Sequence, residues 1–247
     1  WAERGSPERV WLVELGPGRG TLLCDALRVI ARAAPTFHRA LRPALVENSP
    51  HLRMIQRRTL ESAALAEPPV WFDDVRELPP GPVLLVANEF FDALPVRQLI
   101  RTADGWRERR IDVDEAGNGF VFVVGEPAEP PATKNAIEAV PGDLLEVCEE
   151  AEALAKVIAE RVVDGGVGAL IIDYGHSQGH VGETLQAVRH HRFASVLDRP
   201  GETDLSHHVD FGSLAAAAQS AGARVFGPIS QGLFLGRLGI DRRAESL

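Results

Sequence analysis

The run "WLVELGPGRGTLLCDALRVI", Trp11 to Ile30, constrains the fold more tightly than any other stretch of the chain. Val10 to Leu15 is a short apolar segment, glycines follow at 16, 18 and 20, and from Thr21 apolar residues recur at Leu22, Leu23, Ala26, Leu27 and Ile30. The first segment has the length of a buried strand and the last has helical spacing, so the stretch reads as strand, tight loop, helix. Glycines at that junction let the backbone turn sharply and approach a ligand beside the free N–H groups of a helix N-terminus.

The same unit recurs downstream. Pro43 to Val46 is a second strand ending at Glu47, after which Ser49 and Pro50 supply an N-cap and a first-turn proline for a helix to about Ser62. Val70 to Phe72 is a third strand. In "PVLLVANEFFDALP" the apolar run Val83 to Ala87 stops at Asn88, Glu89 and Asp92. Strands apolar throughout belong to a parallel sheet covered on both faces. A helix from about Leu145 to Val163 leads to "ALIIDYGH", another buried strand ending at Asp173, Tyr174 and His176, and an alanine-rich helix near Phe211 to Ala221 precedes a strand near Arg224 to Phe226. The expected fold is therefore α/β, a doubly wound Rossmann-like sheet.

Two segments interrupt that rhythm. Between 96 and 125, alternating runs are separated by Asp104-Gly105 and by Gly117-Asn118-Gly119, which marks an antiparallel β-hairpin insertion. "GEPAEPPATKNA" after it reads as a proline-rich exposed loop. Residues 175–210 have little periodicity and many His, Gly and Asp residues, a loop-rich insertion too long to be mere connection. We expect one domain over 1–247 carrying both.

Composition excludes whole classes of function. At 247 residues and 45% hydrophobic content the chain can bury a substantial core, and a formal charge of -9 provides no field to draw it to nucleic acid or an anionic membrane. No apolar run approaches the ~20 residues of a bilayer-spanning helix. Cys24 and Cys148 have neither CxxC nor Cys/His spacing, so no metal site and no disulfide framework is expected, and a reducing, cytoplasmic compartment is the default. His207 and His208 with Asp204 and Asp210 match no standard metal spacing and read as loop residues. Trp1, Trp11, Phe90 and Phe91 fit either a core or an interface, which leaves a homodimer open.

In open α/β sheets ligands bind beyond the carboxyl ends of the strands. That rule selects Glu14 with Gly16, Gly18 and Gly20, then Glu47, Asp73 and Asp74, Asn88, Glu89 and Asp92, and the "DYGH" residues. The glycine spacing is GxGxG, not the GxGxxG that seats a dinucleotide pyrophosphate. Glu14 suits a cationic methionine end and not a pyrophosphate; Glu47 can accept from both ribose hydroxyls, and Asp73 or Asp74 from an adenine amino group. Glu47 would serve NAD equally, so the residues point to an adenosine cofactor, S-adenosyl-L-methionine ahead of NAD. Glu89 and Asp92 could bind a guanidinium bidentately and stabilise its charge, or else Asn88 and the two acids could simply cap a helix. His176 could act as a general base near neutral pH, or be bonded into its loop.

Taken together, "VELGPGRGTLLCDALRV", "LVENSPHLRMIQ", "ANEFFDALPVRQ", "IDYGH", "DLSHHVDFGSLAAAAQ" and "GPISQGLFLGRLGI" resemble, in order and across nearly the whole chain, the MidA-like family, whose mitochondrial member is a complex I assembly methyltransferase that modifies an arginine. The resemblance implies a seven-stranded class I methyltransferase sheet with an antiparallel last strand, S-adenosyl-L-methionine as cofactor, and transfer to an arginine of a protein substrate such as a complex I subunit. It makes Glu14, Gly16, Gly18 and Gly20 the methionine-side loop, Glu47 the ribose contact, and Asn88, Glu89 and Asp92 the acceptor-side motif. Family members carry a sizeable segment before the glycine loop, whereas here Trp1 lies just ahead of the first strand, so the chain is expected to be the remainder of a longer protein. An NAD-dependent oxidoreductase and a non-catalytic assembly module are the competing readings.

Overall fold

The central strands are largely apolar because each serves two cores. In the computed structural model, which describes residues 1–63, 65–131 and 138–245, strand β1 (Val10–Leu15) sends Val13 and Leu15 to one side of the sheet and Val10 and Leu12 to the other. Period-two alternation of the side chains does the sorting. The sheet order is β3 (Val70–Phe72), β2 (Leu41–Val46), β1, β4 (Val83–Asn88), β9 (Gly168–Ile172), every pair parallel. Helices α1 (Thr21–Ala33) and α3 (Pro50–Leu60) cover one face through Leu23, Cys24, Leu27 and Leu60, with Leu22 left exposed. Helices α4 (Glu149–Gly165) and α5 (Phe211–Ser220) cover the other through Leu154, Ala155, Ile158 and Leu214.

Local chemistry sets the helix ends. Ser49 Oγ accepts from the Leu52 N–H and Pro50 occupies the first turn of α3. Glu149, Glu150 and Glu152 sit in the first turn of α4, where the helix dipole favours anions, and Gly166, at φ 78°, closes it in the left-handed conformation. Ala34, held out of the helical region before Pro35 at φ −144° and ψ 67°, separates α1 from the short α2 (Pro35–Ala40).

The doubly wound α/β class read from the sequence is the fold observed, with five parallel strands in its main sheet among the described residues. Arg224 to Phe226 forms no strand: this short stretch is bounded by the left-handed Gly222 and Gly227, and Phe226 is 81% exposed. The "LFL" run beyond it lies in α6 (Gln231–Arg237), which Ser230 caps, and α7 (Ile240–Glu245) follows.

A second, antiparallel sheet is ordered β7 (Phe120–Pro127), β6 (Gly105–Val113), β5 (Arg97–Thr102), β8 (Leu144–Val147). Its last member corrects the helix expected from Leu145, which begins only at Glu149. Leu145 and Val147 are buried alternately and pack on Leu99, so their period is that of a strand. The proline-rich segment also starts as strand, β7 running to Pro127, while residues 132–136 of that expectation lie outside the described residues. Residues 175–210 hold β10 (Gly175–His176), β11 (Gln186–Arg189), β12 (Arg192–Ala194), β13 (Asp204–Ser206) and β14 (Val209–Asp210). Strands β10 and β14 pair in parallel, and β12, β11 and β13 form a small antiparallel sheet. Trp1, Trp11 and Phe90 pack against the cores and Phe91 is fully buried within one.

Candidate functional site

The strand order reverses between β1 and β4, so the chain leaves neighbouring strands in opposite directions and opens a crevice over their carboxyl ends. The residues selected from the sequence end or follow β1, β2, β3, β4 and β9, with His176 in the short β10. In the loop after β1, Gly16, Gly18 and Gly20 have φ of 56°, 52° and 78°, a region that L side chains enter only with strain. Their surroundings differ. A Cβ on Gly16 would lie 2.7 Å from Phe90 Cδ2, one on Gly20 would touch Gln56 Cγ at 3.4 Å, and one on Gly18 would meet nothing within 4 Å. Gly16 is thus where the loop is braced on β4's exit, and Gly18 is where its backbone is open.

Glu14 lies beneath this loop, 5% exposed, with Oε2 accepting the Leu23 N–H at 3.1 Å. It supplies the cap that Gly20 has no side chain to provide. Burial raises its pKa to about 7, the Leu23 bond opposing. Glu47, also buried, accepts the Ser49 N–H on Oε1 at 2.8 Å and the Gln56 amide on Oε2 at 3.1 Å. Asp73 is exposed and paired with Arg53 at 2.6 Å, whose Nε donates to the Glu47 carbonyl. Asp74 is committed elsewhere: Oδ1 caps the 3₁₀ turn Val75–Glu77 and Oδ2 pairs with Arg76.

On the β4 side Asn88 closes the strand beside Ile172. Glu89 follows with a φ of 46°, its N–H held by the Ile172 carbonyl and its side chain exposed. A strained non-glycine residue directly after a central strand persists only where its surroundings impose it, a pattern common at functional sites. Asp92 is 7% exposed, its Oδ2 accepting the Tyr174 hydroxyl at 2.5 Å and its Oδ1 buried without a partner. Asp173 Oδ2 accepts the N–H groups of Phe91 and Asp92, at 3.1 and 3.3 Å. The turn Phe91–Ala93 has Phe90 at its N-cap position without a side-chain cap, and the carboxylate of Asp173, from the next strand end, takes its N–H groups instead. Burial and the neighbouring Asp92 charge push Asp173 up to about 6, and burial raises the Tyr174 hydroxyl.

The histidines are mostly loop fasteners. His176 Nδ1 lies 2.6 Å from the Gln178 carbonyl and 3.8 Å from Asp210, and buried His207 sets its two ring nitrogens against the His208 and Leu94 carbonyls. Among the described residues no group of three His, Cys, Asp or Glu side chains could hold a metal ion, and no helix is long and apolar enough to cross a membrane. Neither cysteine is in a disulfide.

Residues 1–229 match the family model described as "Putative S-adenosyl-L-methionine-dependent methyltransferase". The chain belongs to this methyltransferase family. Among its relatives, "Protein arginine methyltransferase NDUFAF7, mitochondrial" of Xenopus tropicalis is 36% identical over 271 residues, covering 100% of this chain and 62% of the relative. The human protein of the same name is 35% identical, with 100% and 60% covered. A crystal structure of a COG1565 superfamily member from Burkholderia thailandensis, bound to S-adenosyl-homocysteine, superposes with a TM-score of 0.81 at 30% identity, covering 98% of this chain and 64% of that one. The chain thus spans about three fifths of the length of the curated relatives it matches.

Within this methyltransferase chain, two side chains of the site escaped the sequence reading. Gln56 joins the glycine loop to Glu47 and Arg53 joins Glu47 to Asp73, whereas Tyr174, selected at its strand end, holds Asp92. The helical position of Gln56 and Arg53, just after the second strand end, was the only available signal.

Proposed function

We propose that the crevice binds S-adenosyl-L-methionine over β1, β2 and β3 and presents a protein arginine side chain to it over β4 and β9. The observation that carries this reading is the buried Glu47 carboxylate beside an open Gly18 backbone. A carboxylate has about four acceptor positions. Two are used by Ser49 and Gln56, which leaves a pair for two vicinal ribose hydroxyls. The open side of Gly18 gives the ligand a backbone to approach. The bound cofactor would supply an electrophilic methyl on a sulfonium.

The chain's own contribution is placement and charge. Glu89, exposed directly after β4 on a left-handed backbone, would pair with the acceptor guanidinium and stabilise the charge that persists until a proton leaves. Asp92 and Asp173 keep negative potential beneath that position, and the Tyr174 hydroxyl fixes the Asp92 rotamer. Phe90, seated on Gly16, holds the acceptor turn in register with the donor loop. The acceptor class is supported by the relatives' names; the reducing, cytoplasm-type compartment by the two unbridged cysteines alone.

The test separates donor from acceptor. Titration calorimetry with adenosylhomocysteine and with NAD should give binding to the first only; NAD binding alone refutes the reading. Transfer of a labelled methyl to protein arginine should follow, and Glu89→Gln should suppress transfer while sparing adenosylhomocysteine affinity. Binding without transfer to any protein would favour an assembly module that has kept the fold.

A further inference from the structure

We propose that Gln56 is the positioning residue that makes this site selective for an intact ribose diol. The proposal rests on the reading of Glu47 as the ribose contact. Gln56 is 0% exposed and extends from α3 beneath the loop that joins β1 to α1. Its amide has three partners: the Gly18 carbonyl at 2.9 Å, Glu47 Oε2 at 3.1 Å and the Trp71 indole nitrogen at 2.8 Å.

Those partners leave the amide one orientation. An indole N–H can only donate, so it must face Oε1, and a carbonyl and a carboxylate oxygen can only accept from Nε2. Both amide hydrogens are thereby spent on groups that define the ligand's outline, one on the loop backbone and one on the acid. Gly20, whose Cβ would rest on Gln56 Cγ at 3.4 Å, lets the loop settle onto this side chain, and the Arg57 guanidinium, 4.1 Å from the Trp71 ring centroid, covers the indole.

The consequence concerns Glu47. With Oε1 held by the Ser49 N–H and Oε2 by Gln56, rotation about its carboxylate is blocked and each oxygen keeps a lone pair for a further donor. Two acceptors side by side match the two hydroxyls of a ribose. A ligand lacking one of them would leave a desolvated carboxylate oxygen unpaired, which is how polar sites reject analogues. Gln56 supplies the fixed orientation on which that discrimination depends.

The experiment is calorimetric titration with adenosylhomocysteine and its 2′-deoxy analogue on the native chain, Gln56→Met and Gln56→Glu, with unfolding measured without ligand. The native chain should prefer the ribose ligand by at least about tenfold, a charge-assisted bond's worth. In Gln56→Met that preference should collapse toward unity, whereas a merely structural role would weaken both ligands alike and keep the ratio. Gln56→Glu should lose affinity at neutral pH, where three acceptors face one another, and recover part of it on acidification, as a protonated Glu donates to Glu47. Trp71→Phe, which removes the indole N–H and so frees the amide to turn, should shrink the ratio in the same direction and stands in if the Gln56 variants unfold. A native chain without preference would overturn the ribose reading and this proposal together. A folded Gln56→Met that keeps the native ratio would overturn the proposal alone.

Discussion

Replacing Gly16 and Gly18 separately by alanine should divide the loop into a brace and a binding surface. Both positions have left-handed φ, 56° and 52°, and an L residue there costs roughly 1–2 kcal/mol. For Gly18→Ala this is the whole cost, since the new Cβ would meet nothing within 4 Å. At about 2–4 °C per kcal/mol for a chain of this size, its melting temperature should fall by about 2–8 °C. Gly16→Ala carries the same strain and also drives a methyl to 2.7 Å from Phe90, whose ring is wedged edge-on against buried Phe91 at 5.4 Å between centroids. Overpacking of that kind adds about 1–3 kcal/mol, so this variant should be the less stable. Calorimetric melting with and without adenosylhomocysteine reads the other half. At a hundredfold excess over Kd, ligand stabilises the native chain by about 2.7 kcal/mol. Gly18→Ala should lose most of that gain because its methyl enters the space the ligand needs, and Gly16→Ala should keep most of it. The reasoning fails if Gly18→Ala binds as the native chain does, or if Gly16→Ala is no less stable than Gly18→Ala.

Three further outcomes follow from single groups. Burial raises Glu14 from 4.5 to about 7, so the folded chain holds this proton to higher pH than the unfolded one and loses stability as pH climbs through that window; Glu14→Gln, still able to accept from Leu23, should flatten the trend, visible in urea midpoints at pH 5 and pH 8. Tyr174→Phe should leave Asp92 with both carboxylate oxygens unsatisfied, cost about 1–3 kcal/mol in chemical denaturation and reduce methyl transfer with adenosylhomocysteine affinity unchanged. Glu89→Gly should relieve the strain at φ 46° and raise stability by about 1 kcal/mol while abolishing transfer, a trade that melting and activity assays would expose together.

What could be read from the residues alone was whatever is local. Strand, loop and helix around Gly16 to Gly20 declare themselves within twenty residues, as do Ser49 and Pro50 at the start of α3 and the acids at the strand ends. Leu144 to Val147 misled because two leucines and a valine satisfy helical and alternating periods equally, and the choice is made by Leu99, far off in sequence. The β11–β12 hairpin was invisible because its two-residue turn is His190-His191, at φ 49° and 60°, where Asn-Gly would have announced it. Gln56 looked like any polar position on an amphipathic helix; its role exists only once Gly18, Glu47 and Trp71 are brought together. The acceptor of the N–H groups after Phe90 is Asp173, eighty-one residues on from Asp92, a pairing that no local pattern could announce.

The pairing of Arg97 with Val147 in the antiparallel sheet has an architectural consequence. The second sheet leaves the central body at β5 and returns to it at β8 on adjacent strands, so its two junctions stand opposite one another. Whatever length of chain is threaded between them, the span the body must bridge is unchanged, and α4 begins from the same place. The segment is in effect a cassette on a closed hinge pin: its hairpin can lengthen, shorten or change its surface from one relative to the next without moving Phe90, Asp92 or the glycine loop. Its size and surface can change there while the candidate site keeps one geometry.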